Sequence, residues 1–195
     1  MHKKFNMMKT LLVLLSFVFV LASCKGDKET TNDASQKEET TIEKPFTVEL
    51  QMKVKEDDVI CLYYKDLSIS FFNEDMSIYK NLNKSDVSQS MIFTLPKDFV
   101  PNDFRFDLSC QNKDQKIYVE KIIFNFRNET FTISNEDIDK YLEPNDEAVF
   151  NLANRTYTFK EAKKGPYDPF LRTTGQFYPL LEKLVGYEAF PHQQQ

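Results

Sequence analysis

Residues 45–64 read PFTVELQMKVKEDDVICLYY, and the order of apolar and polar residues in this stretch sets the expected fold class. Every second side chain from Val48 to Val54 is apolar, and the side chains between them are polar. This period of two predicts a β-strand with one buried and one wet side. The acidic triplet Glu56–Asp58 predicts a turn, and the apolar run after it predicts a second strand.

Similar short apolar runs recur as far as residue 159. They predict further strands at Val59–Tyr64, Ser68–Phe72, Met76–Leu82, Met91–Leu95, Phe104–Cys110, Ile117–Phe126, Thr130–Ser134, Val149–Leu152 and Thr156–Phe159. Because Asn- and Asp-rich turns separate these runs, we expect a mainly β fold, an antiparallel, jelly-roll-like β-sandwich over residues 45–160. The apolar phase of the longest run changes after Lys121, which predicts a bulge or a strand break there.

Two short helices are expected from their end signals. Ser134 precedes the acid Asp137 by three positions, so a capping box can begin an internal helix that runs to about Leu142. In the C-terminal segment, residues 161–195, Pro179 can begin a helix and Gly186 can end it.

The C-terminal helix leaves two functions open. Its apolar stripe consists of Leu180, Leu181, Leu184 and Val185. The stripe either packs on the sandwich or docks a partner, since a large apolar patch is rarely left in water. The second alternative would make the chain a structural or assembly subunit of an envelope complex.

Residues 1–23 have the features of a secretory signal peptide. Lys3, Lys4 and Lys9 are basic, and the apolar run Leu11–Leu21 is shorter than the roughly 20 residues that a membrane span needs. The run ends in LASC, residues 21–24, which resembles the lipobox of bacterial lipoproteins.

The resemblance implies that Cys24 is lipidated and becomes the N-terminus, so that acyl chains anchor the protein in the membrane. An ordinary cleaved signal or an uncleaved anchor are the alternatives. Residues 24–44 form a flexible tether, because only Ile42 among them is a large aliphatic residue. The expected location is the cell envelope, as an outer-membrane lipoprotein. Residues 25–29, KGDKE, are similar to surface-export signals of Bacteroidetes lipoproteins, and both a surface-facing and a periplasm-facing position stay open.

Composition and charge exclude several functions. The chain has 25 basic and 30 acidic residues, and without residues 1–23 its net charge is −8, so no basic surface for nucleic acid is expected. Histidine occurs only at His2 and His192, and none of the four glycines lies between Pro45 and Lys164. We therefore expect no enzyme, no cofactor and no metal site, and we interpret the clustered carboxylates as solvated turns. A Ca²⁺ site or a pair of glycosidase carboxylates are the alternatives for these acids.

Three stretches carry a further resemblance: residues 45–64, FFNED at 71–75 and MIFTLPKDFVPNDFRFDLSCQNKDQKIYVEKIIFNF at 91–126. Their order resembles a β-sandwich module of Bacteroidetes envelope lipoproteins and is similar to jelly-roll carbohydrate-binding modules. The resemblance covers about Phe46–Ser134 and implies non-catalytic binding of a glycan or an envelope protein.

The chain departs from sugar-binding modules in having no tryptophan. Tyrosines on the expected strands could supply the stacking surface, and the candidates are Tyr63, Tyr64, Tyr79 and Tyr118. We select the outward positions Arg105, Asp107 and Arg127, together with Tyr64, as the candidate ligand-binding set.

Two cysteines remain beyond Cys24. Cys61 and Cys110 lie on expected strands and could form a disulfide outside the cytoplasm, or they could be two separate buried thiols. Strand alternation from Phe104 places Cys110 on the core side.

Overall fold

The computed structural model describes residues 44–186. The signal peptide, Cys24, almost all of the tether and His192 lie outside the described residues, and so their expected roles stay predictions. The domain that begins at Phe46 is an antiparallel β-sandwich, which confirms the expected fold class.

Two antiparallel sheets make up this sandwich. The strands are β1 (Thr47–Val54), β2 (Asp58–Lys65), β3 (Ser77–Leu82), β4 (Ser85–Thr94), β5 (Asp103–Asp107), β6 (Lys116–Phe126), β7 (Glu129–Ser134), β8 (Leu142–Pro144), β9 (Ala148–Asn151), β10 (Thr156–Phe159) and β11 (Leu171–Thr173). The first sheet has the order β4-β1-β6-β10-β9, with β7 also paired to β6, and the second has the order β3-β2-β5-β11-β8. The helices are α1 (Ile138–Tyr141) and α2 (Tyr178–Val185).

Aromatic side chains fill the space between the two sheets. Phe104 of the second sheet lies 5.6 Å, ring centre to ring centre, from both Phe46 and Phe124. These three rings are fully buried, as is Phe177 just before α2. Burial of rings of this size dominates the energy of a core, so the phenylalanine-rich sequence supplies the main stabilising contacts of the fold.

The irregularity expected after Lys121 is a β-bulge. Gln51 of β1 pairs with Lys121, and the next residue, Met52, pairs with Val119, so that Glu120 is the extra residue of β6. The bulge explains why the apolar phase of β6 changes while the strand stays continuous. At this point the backbone carbonyl of Glu120 accepts a hydrogen bond from the backbone of Asn135, where β7 has ended.

The strand expected at Ser68–Phe72 is absent from the fold, and this prediction was wrong. The stretch is a loop that leads into a single 3-10 turn at Glu74–Met76. Side chains hold it there: Asp66 accepts from the backbone N–H of Ser68, and Asn73 accepts from that of Asp75. Such local side-chain bonds compete with strand pairing.

Other element ends also differ from the expectation. Asp137 precedes α1 and Ser134 does not cap it; instead the Ser134 carbonyl accepts the Asp137 backbone N–H in a turn. The short strands β8 and β11 were not expected. Each is only three residues long, too short for a visible alternation.

The C-terminal segment is part of the sandwich. Strand β11 inserts between β5 and β8, and α2 begins with a proline in its first turn and ends at Gly186, whose φ is 78°. Leu181, Leu184 and Val185 are buried, so most of the apolar stripe packs on the domain itself. Among residues 44–186, no helix is long and apolar enough to cross a membrane.

Candidate functional site

The outer face of the second sheet carries the candidate site. Residues that alternate with the core positions meet there in register: Tyr63 of β2 pairs with Arg105 of β5, and Cys61 pairs with Asp107 on one side and with Tyr79 of β3 on the other. A cleft of about 760 Å³ lies over this face. Its lining consists of Val59, Tyr63, Phe72, Asn73, Glu74, Tyr79, Arg105, Asp107, Ser109, Cys110, Gln111, Pro166, Tyr167, Asp168 and Pro169.

One wall of the cleft is the segment Pro166–Phe170, which we call the strap. Hydrogen bonds hold its main chain: the Asp168 backbone N–H donates to Glu147 Oε2 at 2.8 Å, and Asn145 Nδ2 donates to the Asp168 carbonyl at 2.8 Å. The hydroxyl of Tyr167 lies 3.0 Å from that of Ser109 on the sheet side. The strap is thus fixed to the sandwich independently of the Asp168 side chain.

Arg105 occupies the centre of the cleft floor. Its Nε and Nη2 donate to the two carboxylate oxygens of Asp107 at 2.8 and 2.9 Å, and Nη2 also donates to Asp168. The guanidinium lies 4.1 Å from the ring centre of Phe170 and 5.1 Å from that of Tyr63. Arg105 therefore combines a two-bond carboxylate pair with cation–π contacts to two rings.

The carboxyl of Asp107 has an unusually high pKa for an acid that is paired with an arginine. Burial raises its pKa to about 6, against the lowering effect of Arg105, and the charges of Asp168 and Glu74 raise it further. Glu74, by contrast, has a lowered pKa because Tyr63 and Tyr79 donate hydrogen bonds to it. At neutral pH the floor of the cleft consequently carries carboxylates around one guanidinium.

Tyr63 and Tyr79 form a fixed aromatic pair beside Glu74. The Tyr63 hydroxyl donates to Glu74 Oε1 at 2.6 Å and the Tyr79 hydroxyl donates to Oε2 at 2.8 Å. The rings meet edge to face, with their centres 6.3 Å apart. Tyr79 is nevertheless 50% exposed, so it presents a fixed ring surface to the cleft. Burial raises the pKa of both hydroxyls, which keeps them protonated.

The structure brings together only part of the candidate set chosen from sequence. Arg105 and Asp107 lie side by side in the cleft. Tyr64 is instead a core residue, 5% exposed, with its ring edge against Phe99, because it follows Tyr63 on β2 and so faces the other way. Arg127 lies in the turn between β6 and β7, over the ring of Phe126, and does not line the cleft.

The remaining members of the cleft were only partly visible in the sequence. Tyr63 and Tyr79 were among the tyrosines considered as stacking surfaces, but Glu74 and Asp168 gave no signal of their own. Both acids lie outside the strands, one on the 3-10 turn and the other on the strap. Their positions depend on how these segments fold back over the sheet, which alternation along a strand does not reveal.

Both remaining cysteines are free thiols. Cys61 is buried between Asp107 and Tyr79, and burial raises its pKa to about 12. Cys110 lines the cleft rather than the core, since β5 ends at Asp107 and the alternation stops there. Burial also raises the pKa of Cys110 above its ordinary value.

The acidic triplet after β1 is not wholly a solvated turn. Asp58 is buried, and its carboxylate accepts hydrogen bonds from the backbone of Val59 at 2.7 Å and of Gln111 at 3.0 Å, and from the Ser109 hydroxyl at 2.6 Å. This carboxylate fixes the chain after β5, next to the cleft. In the described part of the chain, no group of three or more His, Cys, Asp or Glu residues is arranged to hold a metal ion.

No protein-family model matches the chain, and no curated protein or solved structure shows a significant match to it. A function for the cleft therefore rests on its geometry, and the membrane anchor rests on the sequence patterns of residues 1–44.

Proposed function

We propose that the chain is a non-catalytic module, anchored in the bacterial cell envelope by lipid on Cys24, whose cleft binds a glycan. The observation that carries the binding proposal is the half-exposed ring of Tyr79, fixed by its hydroxyl to Glu74 at the edge of a polar cleft. The anchoring proposal rests on the lipobox-like residues 21–24.

The chemistry of the cleft suits a sugar ring. One face of a pyranose is rich in C–H groups and packs on an aromatic ring, while its hydroxyls need hydrogen-bond donors and acceptors around the edge. Tyr79 supplies the ring, and each Glu74 oxygen, which already accepts from one tyrosine hydroxyl, has a second lone pair for a sugar hydroxyl. Because hydrogen bonds to Glu74 and the contact with Tyr63 already hold Tyr79, little conformational entropy is lost on binding.

The arrangement of Asp107 supports binding rather than catalysis. Arg105 donates to both of its carboxylate oxygens, at 2.8 and 2.9 Å, and the side chain is only 9% exposed, so this acid is held as part of the cleft floor. A general acid or nucleophile needs an oxygen that can reach the reacting bond.

A glycan array tests the binding proposal. Residues 25–195 with a fluorescent label are applied to an array of bacterial, plant and animal glycans, and the affinity for each bound glycan is measured by calorimetry. Tyr79→Ala is expected to weaken binding at least about tenfold, the size expected for one lost stacking contact. Tyr118→Ala is the matched control, because Tyr118 is a partly buried tyrosine on β6 of the other sheet. Binding to no glycan, or equal losses for the two variants, would contradict the proposal.

A separate experiment tests the anchor. The full chain, produced in a bacterium that makes lipoproteins, is expected to take up labelled palmitate and to partition with the membrane, and Cys24→Ala is expected to do neither. Protease treatment of whole cells distinguishes a surface-facing from a periplasm-facing domain. Equal palmitate labelling of the two proteins would show that Cys24 is not the lipidated residue.

A further inference from the structure

We infer that the glycan bound in the cleft is uncharged, and that the cleft selects against acidic sugars such as uronic acids. This inference rests on the proposed glycan-binding function. It assigns a chemical class of ligand to the same site, from the distribution of charge among the residues that line it.

The cleft contains more negative than positive charge. Among the described residues that line it, Arg105 is the only cationic side chain, whereas Glu74, Asp107 and Asp168 are acidic. The acids are close enough to one another that Asp168 and Glu74 both act on the pKa of Asp107. A carboxylate on the ligand would enter a region that is already negative, where like charges repel.

Arg105 does not offset this charge for an incoming anion. Arginine binds carboxylates most strongly through its forked N–H groups. Here three of the five N–H donors of Arg105 already serve Asp107 and Asp168. The rings of Tyr63 and Phe170 cover the guanidinium, and the side chain is only 19% exposed. A forked contact from an acidic sugar would have to displace one of the two carboxylates, because each forked pair of N–H groups includes Nη2, which already serves Asp107 and Asp168.

Groups that can bind an uncharged sugar remain in the same cleft. Gln111 and Asn73 line it with side-chain amides, which both donate and accept hydrogen bonds. With the Tyr79 ring as a stacking surface, these groups can contact sugar hydroxyls without a net charge on the ligand.

The first test uses matched sugars on the full mature chain. Neutral oligosaccharides bound on the array are compared by calorimetry with their uronic-acid counterparts, for example the β-1,4-mannose hexamer with the β-1,4-mannuronate hexamer. The neutral member is expected to bind at least about tenfold more tightly in 20 mM salt, and the difference is expected to shrink in 0.5 M salt because repulsion is screened. Equal or tighter binding of the uronates would overturn this inference and leave the glycan-binding proposal standing. Binding of neither class would overturn both.

A gain-of-binding variant tests the role of Arg105. Asp168→Asn removes one carboxylate from the guanidinium, while the main-chain bonds of the strap to Asn145 and Glu147 remain. We expect the affinity for the uronate hexamer to rise about tenfold relative to that for the neutral hexamer. Asp86→Asn is the control. It changes the net charge by the same amount, and Asp86 is an exposed residue of β4 in the other sheet. If the affinity for the uronate hexamer rises by the same small factor in both variants, the inference is overturned.

Discussion

Tyr63 and Arg105 are directly paired residues on neighbouring antiparallel strands, and the guanidinium of Arg105 lies 5.1 Å from the centre of the Tyr63 ring. Each of the two also contacts one wall of the cleft. Tyr63 bonds to Glu74 on the 3-10 turn, and Arg105 bonds to the Asp168 side chain on the strap. A single cross-strand pair therefore contacts both walls, while main-chain bonds hold the strap itself in place.

Removal of Arg105 is expected to destabilise the domain through Asp107. In Arg105→Ala the buried carboxylate of Asp107 loses its partner, and breaking such a pair typically costs about 3–5 kcal/mol. We expect a loss of about 3 kcal/mol in the free energy of unfolding at pH 7, measured by urea denaturation. The loss should be smaller at pH 5, where Asp107 can take up a proton.

The control for this variant is Arg172→Ala. Arg172 pairs with Glu143 at 3.1 Å, but both side chains are more than half exposed. Exposed pairs contribute little, so its loss should stay within about 1 kcal/mol. Similar losses for the two variants would show that the pair of Arg105 with Asp107 is not a buried one in solution.

The raised pKa of Asp107 predicts a specific dependence of stability on pH. Its pKa is about 6 in the folded protein and about 3.9 in an unfolded chain. Between these values the folded state holds a proton that the unfolded state has released, so this group makes the free energy of unfolding fall as pH rises from about 4 to 6. Carboxyls with lowered pKa, such as Glu74, act in the opposite direction at lower pH.

A comparison with Asp107→Asn isolates this effect. Urea denaturation at pH 4, 5, 6 and 7 gives the free energy of unfolding of both proteins. In the difference between the two values, the contributions of the other carboxyls cancel. That difference is expected to change by up to about 3 kcal/mol between pH 4 and 7, since each pKa unit corresponds to about 1.4 kcal/mol. Parallel stability curves for the two proteins, or a ¹³C NMR titration midpoint of Asp107 near 4, would contradict the prediction.

Much of the fold could be predicted because period-two patterns are local. The alternation from Val48 to Val54 predicted β1, and the phase change after Lys121 predicted the bulge at Glu120. The loop at 68–72 could not be predicted in this way, because the side chains of Asp66 and Asn73 decide its conformation. The same limit applies to β11, a three-residue strand that is defined by its pairing with β5 and β8, both distant in the sequence.

The site was less predictable than the fold. The alternation Arg105–Asp107 correctly placed two polar residues on the outer face of β5. On β2, however, Cys61, Leu62, Tyr63 and Tyr64 are all buried, so no polar phase distinguishes Tyr63 from Tyr64. Only the pairing of Tyr63 with Arg105, a contact between distant parts of the chain, shows which tyrosine faces the cleft.

The two cysteines are expected to be unreactive thiols in the folded protein. With a pKa of about 12, Cys61 is a thiolate in only about one molecule in ten thousand at pH 8, and Cys110 also has a raised pKa. Alkylation by iodoacetamide should be more than about a hundredfold slower in buffer than in 6 M guanidinium chloride. Peptide mass mapping without reductant assigns the label to each residue. Absence of label at Cys61 and Cys110 in guanidinium would indicate that they form a disulfide.

The residues after 160 are expected to be indispensable for folding, because Phe177 is fully buried and its ring centre lies 5.3 Å from that of Phe124. Phe177→Ala should lower the free energy of unfolding by about 3–5 kcal/mol, as large cavities in cores do. The control Phe71→Ala removes a ring that is 73% exposed and should cost about 0.5 kcal/mol or less. Truncation after Lys164 removes β11 and Phe177 together, so we expect no cooperative unfolding transition by circular dichroism. A truncated chain that still unfolds cooperatively would show that this segment is an appendage, and would restore α2 as a docking element for a partner.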